Sequence, residues 1–372
     1  MRRAMRRLRR YALFLALVLG SIAGIDQWLF HGEEAGERTA EGQGAPPPIS
    51  AEKREEAVRG PFASRAACEA ALRARSPSAK RAPRLGTWNV RWFPFGSASG
   101  KDAGQRTDIA WLACAIALLD VDVLAVQEFL DNPEGRGAAL DLTAKLDALT
   151  GGRHRLELDD CSGNGRQHVG LLWNEKRVQL SDVRSIAALN PAGSMCASSL
   201  RPGLGARAVF VDGTDLHLVS VHLDSGKQAR DFDRRAGSIA ALDSLLPAWR
   251  AQDRDLIILG DFNAMGCDGC APAVSASDEL RTLDASLGAL DLHRLPHRPG
   301  NQCSHYYRGH AGLLDLAVAS APLRERLASV RAECVCAALE CGKPKRGTTV
   351  AAWQSLSDHC PLVVELKQVR ER

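Results

Sequence analysis

The chain is poor in aromatic residues. Phe, Trp and Tyr make up 5% of its 372 positions, and only three are Tyr. Insertion into a lipid surface needs an exposed apolar or aromatic hairpin, and the one cluster available for that is Trp92-Phe93-Pro94-Phe95. A lasting excess of charge is also missing. The formal net charge is +4, but six arginines (Arg2, Arg3, Arg6, Arg7, Arg9, Arg10) fall in the first ten residues and no acid precedes Asp26. Setting those six aside leaves 42 basic against 44 acidic residues, so attraction for an anion must be local to a site rather than spread over a basic face. There is no internal repeat and no second catalytic-looking segment. The N-terminal apolar run, residues 11–25, is shorter than the roughly 20 residues of a bilayer span.

That run follows a basic stretch ending at Arg10 and is followed by small residues at Ser21 and Ala23, the spacing a signal peptidase prefers. Residues 1–25 therefore read as a secretory signal, with an uncleaved membrane anchor as the alternative. Arg9-Arg10 alone makes a poor twin-arginine signal. Residues 26–83 read as a flexible linker with Pro46-Pro47-Pro48 near its centre, plus a short helix over 62–75 whose Cys68 can tether the arm to the main domain. Eleven cysteines fit export to a periplasmic or extracellular space, where most form disulfides. Cys267 and Cys270 can close a small loop. Cys161, Cys196, Cys303, Cys334, Cys336 and Cys341 lie in loop-like surroundings. Cys114, inside an apolar helix pattern over 109–119, is expected to be a buried free thiol, and Cys360, at the start of a strand, a second one. A zinc site from Cys267-x-x-Cys270 and Cys334-x-Cys336 is disfavoured, because exported chains oxidise such pairs and no histidine has finger-like spacing.

Regular alternation of strand and helix patterns begins at Arg84 and defines one domain over 84–372. Strands are expected at 85–90, 121–126, 169–173, 206–211, 216–221, 255–259, 313–319 and 361–366, with helices at 106–119, 138–149 and 230–249. Short apolar strands with interspersed helices indicate the α/β class. Polar residues gather where these strands end. Asn89 lies in Gly86-Thr87-Trp88-Asn89-Val90, and Glu128 in Val126-Gln127-Glu128. His222 follows Val221, and Asp261 and Asn263 follow Ile257-Ile258-Leu259-Gly260. Asp315 interrupts Leu314-Asp315-Leu316, and Asp358-His359 precedes the last strand. All eight can meet at one sheet edge, where open α/β sheets place ligands.

The ordered set Thr-Trp-Asn-Val, Val-Gln-Glu, Ser-Val-His-Leu, Gly-Asp-Phe-Asn, Leu-Leu-Asp-Leu and Ser-Asp-His resembles the motif series of the endonuclease/exonuclease/phosphatase superfamily, from about Arg84 to Leu366. The resemblance implies a four-layer α/β/β/α sandwich of two packed mixed β-sheets and metal-dependent hydrolysis of phosphoesters. By resemblance Glu128 is the principal metal ligand, Asn89 supports the metal or a phosphate oxygen, and Asp358 assists. Mg²⁺ is the expected ion, with Mn²⁺ or Ca²⁺ as alternatives, because a hard cation takes carboxylate oxygens and keeps several waters. His359 is placed to take a proton from water or to bind phosphate, oriented by Asp315. Asp261 aligns the nucleophile or leaving group, Asn263 donates to developing charge, and His222 contacts phosphate or the leaving oxygen. Arg166 and His168 are candidate substrate contacts in Arg166-Gln167-His168-Val169-Gly170, and Arg201, in Arg201-Pro202, is a structural or substrate-side arginine. His154, His293, His297, His305 and His310 match no motif and read as surface or loop histidines.

Substrate is reached by elimination. The aromatic-Cys-Asp-Arg pattern of inositol phosphatases is missing, and Cys303-Ser304-His305-Tyr306-Tyr307 stands in that region. The Arg-x-Asp-Tyr of abasic-site enzymes is replaced by Leu314-Asp315-Leu316. An exported nuclease acting on nucleic acid is the expectation, with membrane contact only through the N-terminal segment. The alternatives are a sphingomyelinase-like lipid phosphodiesterase and a non-catalytic binding module. The latter requires loss of Glu128, Asp261, Asn263 or His359, and all four are present.

Overall fold

A computed structural model describes residues 59–75, 81–97, 106–161, 166–192, 196, 200–307, 309–344 and 350–367. The leader expected at 1–25 and most of the linker lie outside the described residues. Two six-stranded mixed sheets carry the fold. The first runs in the order β13 (Arg331–Ala332), β14 (Leu362–Glu365), β1 (Arg84–Phe93), β2 (Val123–Leu130), β4 (Gln167–Asn174), β3 (His154–Leu158). The second runs β5 (Val178–Ile186), β6 (Gly203–Phe210), β7 (Asp215–His222), β8 (Leu256–Asp261), β12 (Asp315–Ser320), β9 (Leu292–Arg294). Each sheet has one parallel pair near its centre, β1 with β2 and β7 with β8. Parallel neighbours need a crossover, and the chain supplies a helix for each: α2 (Ile109–Leu119) and α4 (Ala229–Arg250).

Period-two alternation sorts the side chains into layers. Ile257, Leu259, Ala317 and Ala319 face the core between the sheets, whereas Ile258, Leu316 and Val318 face the opposite way, into the core shared with α4 and α5 (Ala276–Ala289). On the far side of the first sheet lie α2 and α3 (Pro133–Thr150). The result is the expected four-layer arrangement. The sequence reading missed β3, β5 and α5. The strand β5 is a mostly exposed edge of mixed composition, so its apolar signal is weak. The helix expected at 138–149 begins earlier, because Asn132 caps it on Gly135 N and Pro133 occupies the first turn.

Five disulfides are present, and two cysteine expectations fail. Cys114 is buried as expected, yet it is bonded to Cys68 of α1 (Arg65–Ala74), which pins that helix to α2. Burial alone does not keep a thiol free when an amphipathic partner helix brings a second one alongside. Cys360 is likewise paired, with Cys336, and the buried free cysteine is Cys334. Cys161–Cys196, Cys267–Cys270 and Cys303–Cys341 complete the set, so three of the four thiols of a zinc site, Cys267, Cys270 and Cys336, are consumed. Residues 81–84 are held down by charge. Arg81 donates to both oxygens of Asp122, at 2.8 and 2.9 Å, and Arg84 reaches Asp120 at 3.1 Å.

Candidate active site

Strand register assembles the site. In the second sheet Asp261 ends β8, with His222 opposite it on the parallel β7 and Asp315 opposite it on the antiparallel β12. Three motifs far apart in sequence thereby form one row. In the first sheet β1 and β2 are in register at Asn89 and Gln127, and a bulge follows. Glu128 sits in that bulge at φ 65°, and its Oε2 accepts the Trp92 N–H at 2.9 Å. The sheets join where Asn89 Nδ2 donates to Glu128 Oε1 at 3.1 Å and to Asp261 Oδ2 at 3.0 Å. Behind this seam Gln127 bridges Thr87 (3.2 Å) and Ser220 (3.3 Å).

Close approach and strain mark the same place. A Cβ on Gly260 would lie 1.9 Å from Val221 O, so only glycine lets β8 press against β7 just before Asp261. Arg91, Trp92, Glu128 and Asn263 all have positive φ. Such residues cost roughly 1–3 kcal/mol each, and they cluster where a site is held in a fixed geometry. Asn263 is anchored by its N–H on Asp261 Oδ1 (2.9 Å) and by Nδ2 on Leu223 O (3.1 Å), which leaves one amide hydrogen to donate.

His359 is the most constrained group. Its Nδ1 bonds Asp315 Oδ2 at 2.8 Å, and its Nε2 lies 3.9 Å from Asp261 Oδ2. Its backbone N–H is held by Ser357 Oγ at 3.0 Å, and its carbonyl accepts Trp88 Nε1–H at 3.0 Å. Asp315 is fully buried, its Oδ1 has no partner among the described residues, and its charge needs a cation beside it. Burial acts against the charged imidazolium of His359, but the Asp315 charge and hydrogen bond, helped by Asp261 and Asp358, hold its pKa up to about 10. Burial and the neighbouring Asp315 push Asp261 up to about 7, against the pull of His359 and the Asn89 hydrogen bond. Burial raises Glu128 against the Asn89 bond, and burial, Arg201 and His359 push His222 well below the ordinary histidine value. His222 Nε2 faces Asp261 Oδ2 at 3.6 Å and Glu128 Oε1 at 3.9 Å.

The substrate-side candidates sit in different surroundings. His168 is fully buried, with Nδ1 3.1 Å from Asp159 Oδ1 and Nε2 without a partner among the described residues. Arg201 is held by backbone and side-chain acceptors. It donates to Gln167 Oε1 at 3.2 Å and to the carbonyls of Leu223 at 3.3 Å and His222 at 3.4 Å, clamping the end of β7. Arg166 keeps a buried Nη1 without a partner among the described residues. Asn89 accepts the Arg91 N–H through Oδ1 at 3.0 Å and turns Nδ2 toward the carboxylates of Glu128 and Asp261. Asp358 is more open, with its Oδ2 4.0 Å from His305 Nε2.

The residue that the sequence reading missed is His305. Rather than lying on the surface, it packs against His359 with ring centroids 4.5 Å apart, and burial together with His359 pulls its pKa down to about 4. No motif flagged it, because its placement depends on a hairpin, β10 (His305–Tyr307) with β11 (His310–Gly312), that pairs with no other named strand.

Two packed mixed sheets with carboxylates, amides and a buried Asp–His pair at one seam define a phosphoester-hydrolase type of site. The chain matches the Endonuclease/Exonuclease/phosphatase family over residues 86–359 and belongs to that family, whose members hydrolyse phosphoester bonds. No curated protein matches it. Solved structures share the fold at low identity. A mannosyl-6-phosphatase of Bacteroides thetaiotaomicron is 14% identical at TM-score 0.52, covering 77% of this chain and 100% of its own. The 3'-5' exonuclease NExo of Neisseria meningitidis is 20% identical at TM-score 0.50, with the same coverage. A humanized D. rerio TDP2 is 15% identical at TM-score 0.50, covering 77% and 99%.

Proposed function

We propose that the chain is an exported, metal-dependent phosphodiesterase that cleaves nucleic acid. The observation that carries this reading is the convergence of Glu128, His222, Asp261, Asp315 and His359 on one seam, with Asp261 Oδ2 between Asn89, His222 and His359. The donor set suits a hard divalent ion. Glu128 and Asp358 offer carboxylate oxygens, and burial of Glu128 leaves a charge that a cation would offset. Asp261, Asp315 and His359 also place ligand atoms within 4.8 Å of one another, although Asp315 Oδ2 is already committed to His359. Glu128 and Asp358 would hold a divalent ion such as Mg²⁺, which would supply charge neutralisation at the phosphate.

The chain's own groups do the rest. His359, anchored through Nδ1, presents Nε2 to a phosphoryl oxygen. Asp261 orients the attacking water, and the spare amide hydrogen of Asn263 meets the charge that develops on phosphorus-bound oxygen. His222 stands where it can contact phosphate or the leaving oxygen. A lipid substrate fits less well, because Phe93 and Pro94 of the aromatic cluster are buried rather than displayed. Export is supported by the five disulfides. Among the described residues no helix is long and apolar enough to cross a membrane.

A substrate panel tests the proposal: duplex and single-stranded DNA, RNA, sphingomyelin and soluble phosphate monoesters, with and without Mg²⁺. The expected result is Mg²⁺-dependent cleavage of a nucleic acid. Turnover of sphingomyelin or a monoester alone overturns the substrate assignment.

A further inference from the structure

We propose that His305 is a second phosphate-contacting residue beside His359. This rests on the phosphodiesterase reading of the site. The hairpin β10–β11 is stitched to the segment that carries Asp358 and His359. Tyr306 N–H donates to Asp358 O at 2.9 Å, Cys360 N–H donates to Ser304 O at 2.7 Å, and His305 and His359 face each other as an antiparallel bridge. Two disulfides, Cys303–Cys341 and Cys336–Cys360, close on the same segments. Ser304 Oγ accepts the backbone N–H of Asp315 at 2.8 Å, which ties the hairpin to the third member of the row as well.

This scaffold dictates where side chains go. Successive strand residues point to opposite faces. Tyr306 points inward, buried, with its ring 5.0 Å from Trp353 and its hydroxyl donating to Gly342 O at 2.9 Å. His305 and Tyr307 therefore share the other face. Tyr307 is 59% exposed there, while the His305 side chain is 12% exposed and lies against the His359 ring. His305 Nε2 lies 4.0 Å from Asp358 Oδ2, beyond hydrogen-bond reach, and neither ring nitrogen is among the buried polar atoms left without a partner. The polar edge of the ring is therefore open to a ligand on the side that faces the site. The His305 ring lies 4.5 Å from the His359 ring, centroid to centroid, and an imidazole N–H is a suitable donor to a phosphoryl oxygen. The alternative, an inert ring that merely buttresses His359, predicts that shape matters and the nitrogens do not.

The test separates those two. In the full chain loaded with Mg²⁺, His305→Phe keeps a ring against His359 and loses the donor, whereas His305→Gln keeps a donor and loses the ring. Two quantities are read: kcat/KM for an oligonucleotide and for bis(p-nitrophenyl) phosphate, and calorimetric affinity for inorganic phosphate. His305→Phe is expected to lose about 10- to 100-fold in both, the worth of one hydrogen bond to a charged group, and His305→Gln to recover most of that loss. If His305→Phe matches wild type, or if the two variants are impaired alike, the proposal is overturned. A wild-type chain that cleaves no nucleic acid, but whose phosphate affinity still falls in His305→Phe and recovers in His305→Gln, removes the nuclease assignment and leaves this contact standing.

Discussion

Replacing Asp315 by Asn tests the centre of the site, because the change is nearly isosteric and alters one thing. Asp315 is fully buried, and its carboxylate bonds His359 Nδ1 at 2.8 Å. The Asp315→Asn side chain would keep the shape but withdraw the charge that holds His359 cationic. Breaking a buried hydrogen-bonded charge pair costs about 3–5 kcal/mol when one charge is stranded. Here His359 can shed its proton, so the expected loss appears in catalysis more than in folding. A positioned acid–base or phosphate-binding histidine is worth about 10²–10⁴-fold, and kcat should fall by that factor. Because Asp315 acts through His359, the losses must not add: Asp315→Asn combined with His359→Ala should be no slower than His359→Ala alone within a few-fold. Initial rates on a fluorescent oligonucleotide at saturating Mg²⁺ measure this, with thermal melting as the check on folding. Multiplicative losses in the double variant would refute the paired role, and wild-type rates in His359→Ala would refute the site.

Glu128→Gln removes ligand charge while keeping shape, so it should raise the Mg²⁺ concentration for half-maximal rate; EDTA should abolish wild-type cleavage and Mg²⁺ or Mn²⁺ restore it, and an EDTA-resistant activity would contradict metal dependence. Glu279 holds the buried Arg235 through bonds of 2.6 and 3.0 Å and also accepts Gly266 N–H at 2.6 Å, so Glu279→Gln should destabilise the fold by about 3–5 kcal/mol in urea unfolding, and a loss below roughly 1 kcal/mol would show that the pair is not a keystone. Burial lowers the pKa of His297, partly offset by its bond to Asn301 O. Since the unfolded chain then binds more protons, His297 contributes stability that is present above about pH 6.5 and is lost as pH falls below it. His297→Gln should therefore show a shallower stability loss than wild type between about pH 7.5 and 5.5, and an equal or steeper loss would contradict the sign. Non-reducing mass mapping should find the five cysteine pairs with Cys334 alkylated only after unfolding; thiols freely alkylated across the native chain would remove the support for export.

Much of the fold and site could be read along the chain because it is written locally. Apolar runs such as Ile257-Ile258-Leu259, short and rich in β-branched residues, read as buried strands, and that is where β8 lies. The order of the motifs then named the family, and the family implied the two-sheet sandwich. Other features were not local and so not legible. Cys114 looked like a free thiol until α1 was laid beside α2, because pairing depends on the distance between segments and not on composition. His168 lies inside the protein against Asp159 and His305 lies against His359, because strand register and hairpin docking decide which way an imidazole faces. The same holds for charge. The sequence determined which ionisable groups the site possesses, but their proton affinities arise from burial and from separations of about 3–4 Å between residues as distant in sequence as Asn89, Asp261 and His359, and only the packing of the two sheets sets those distances.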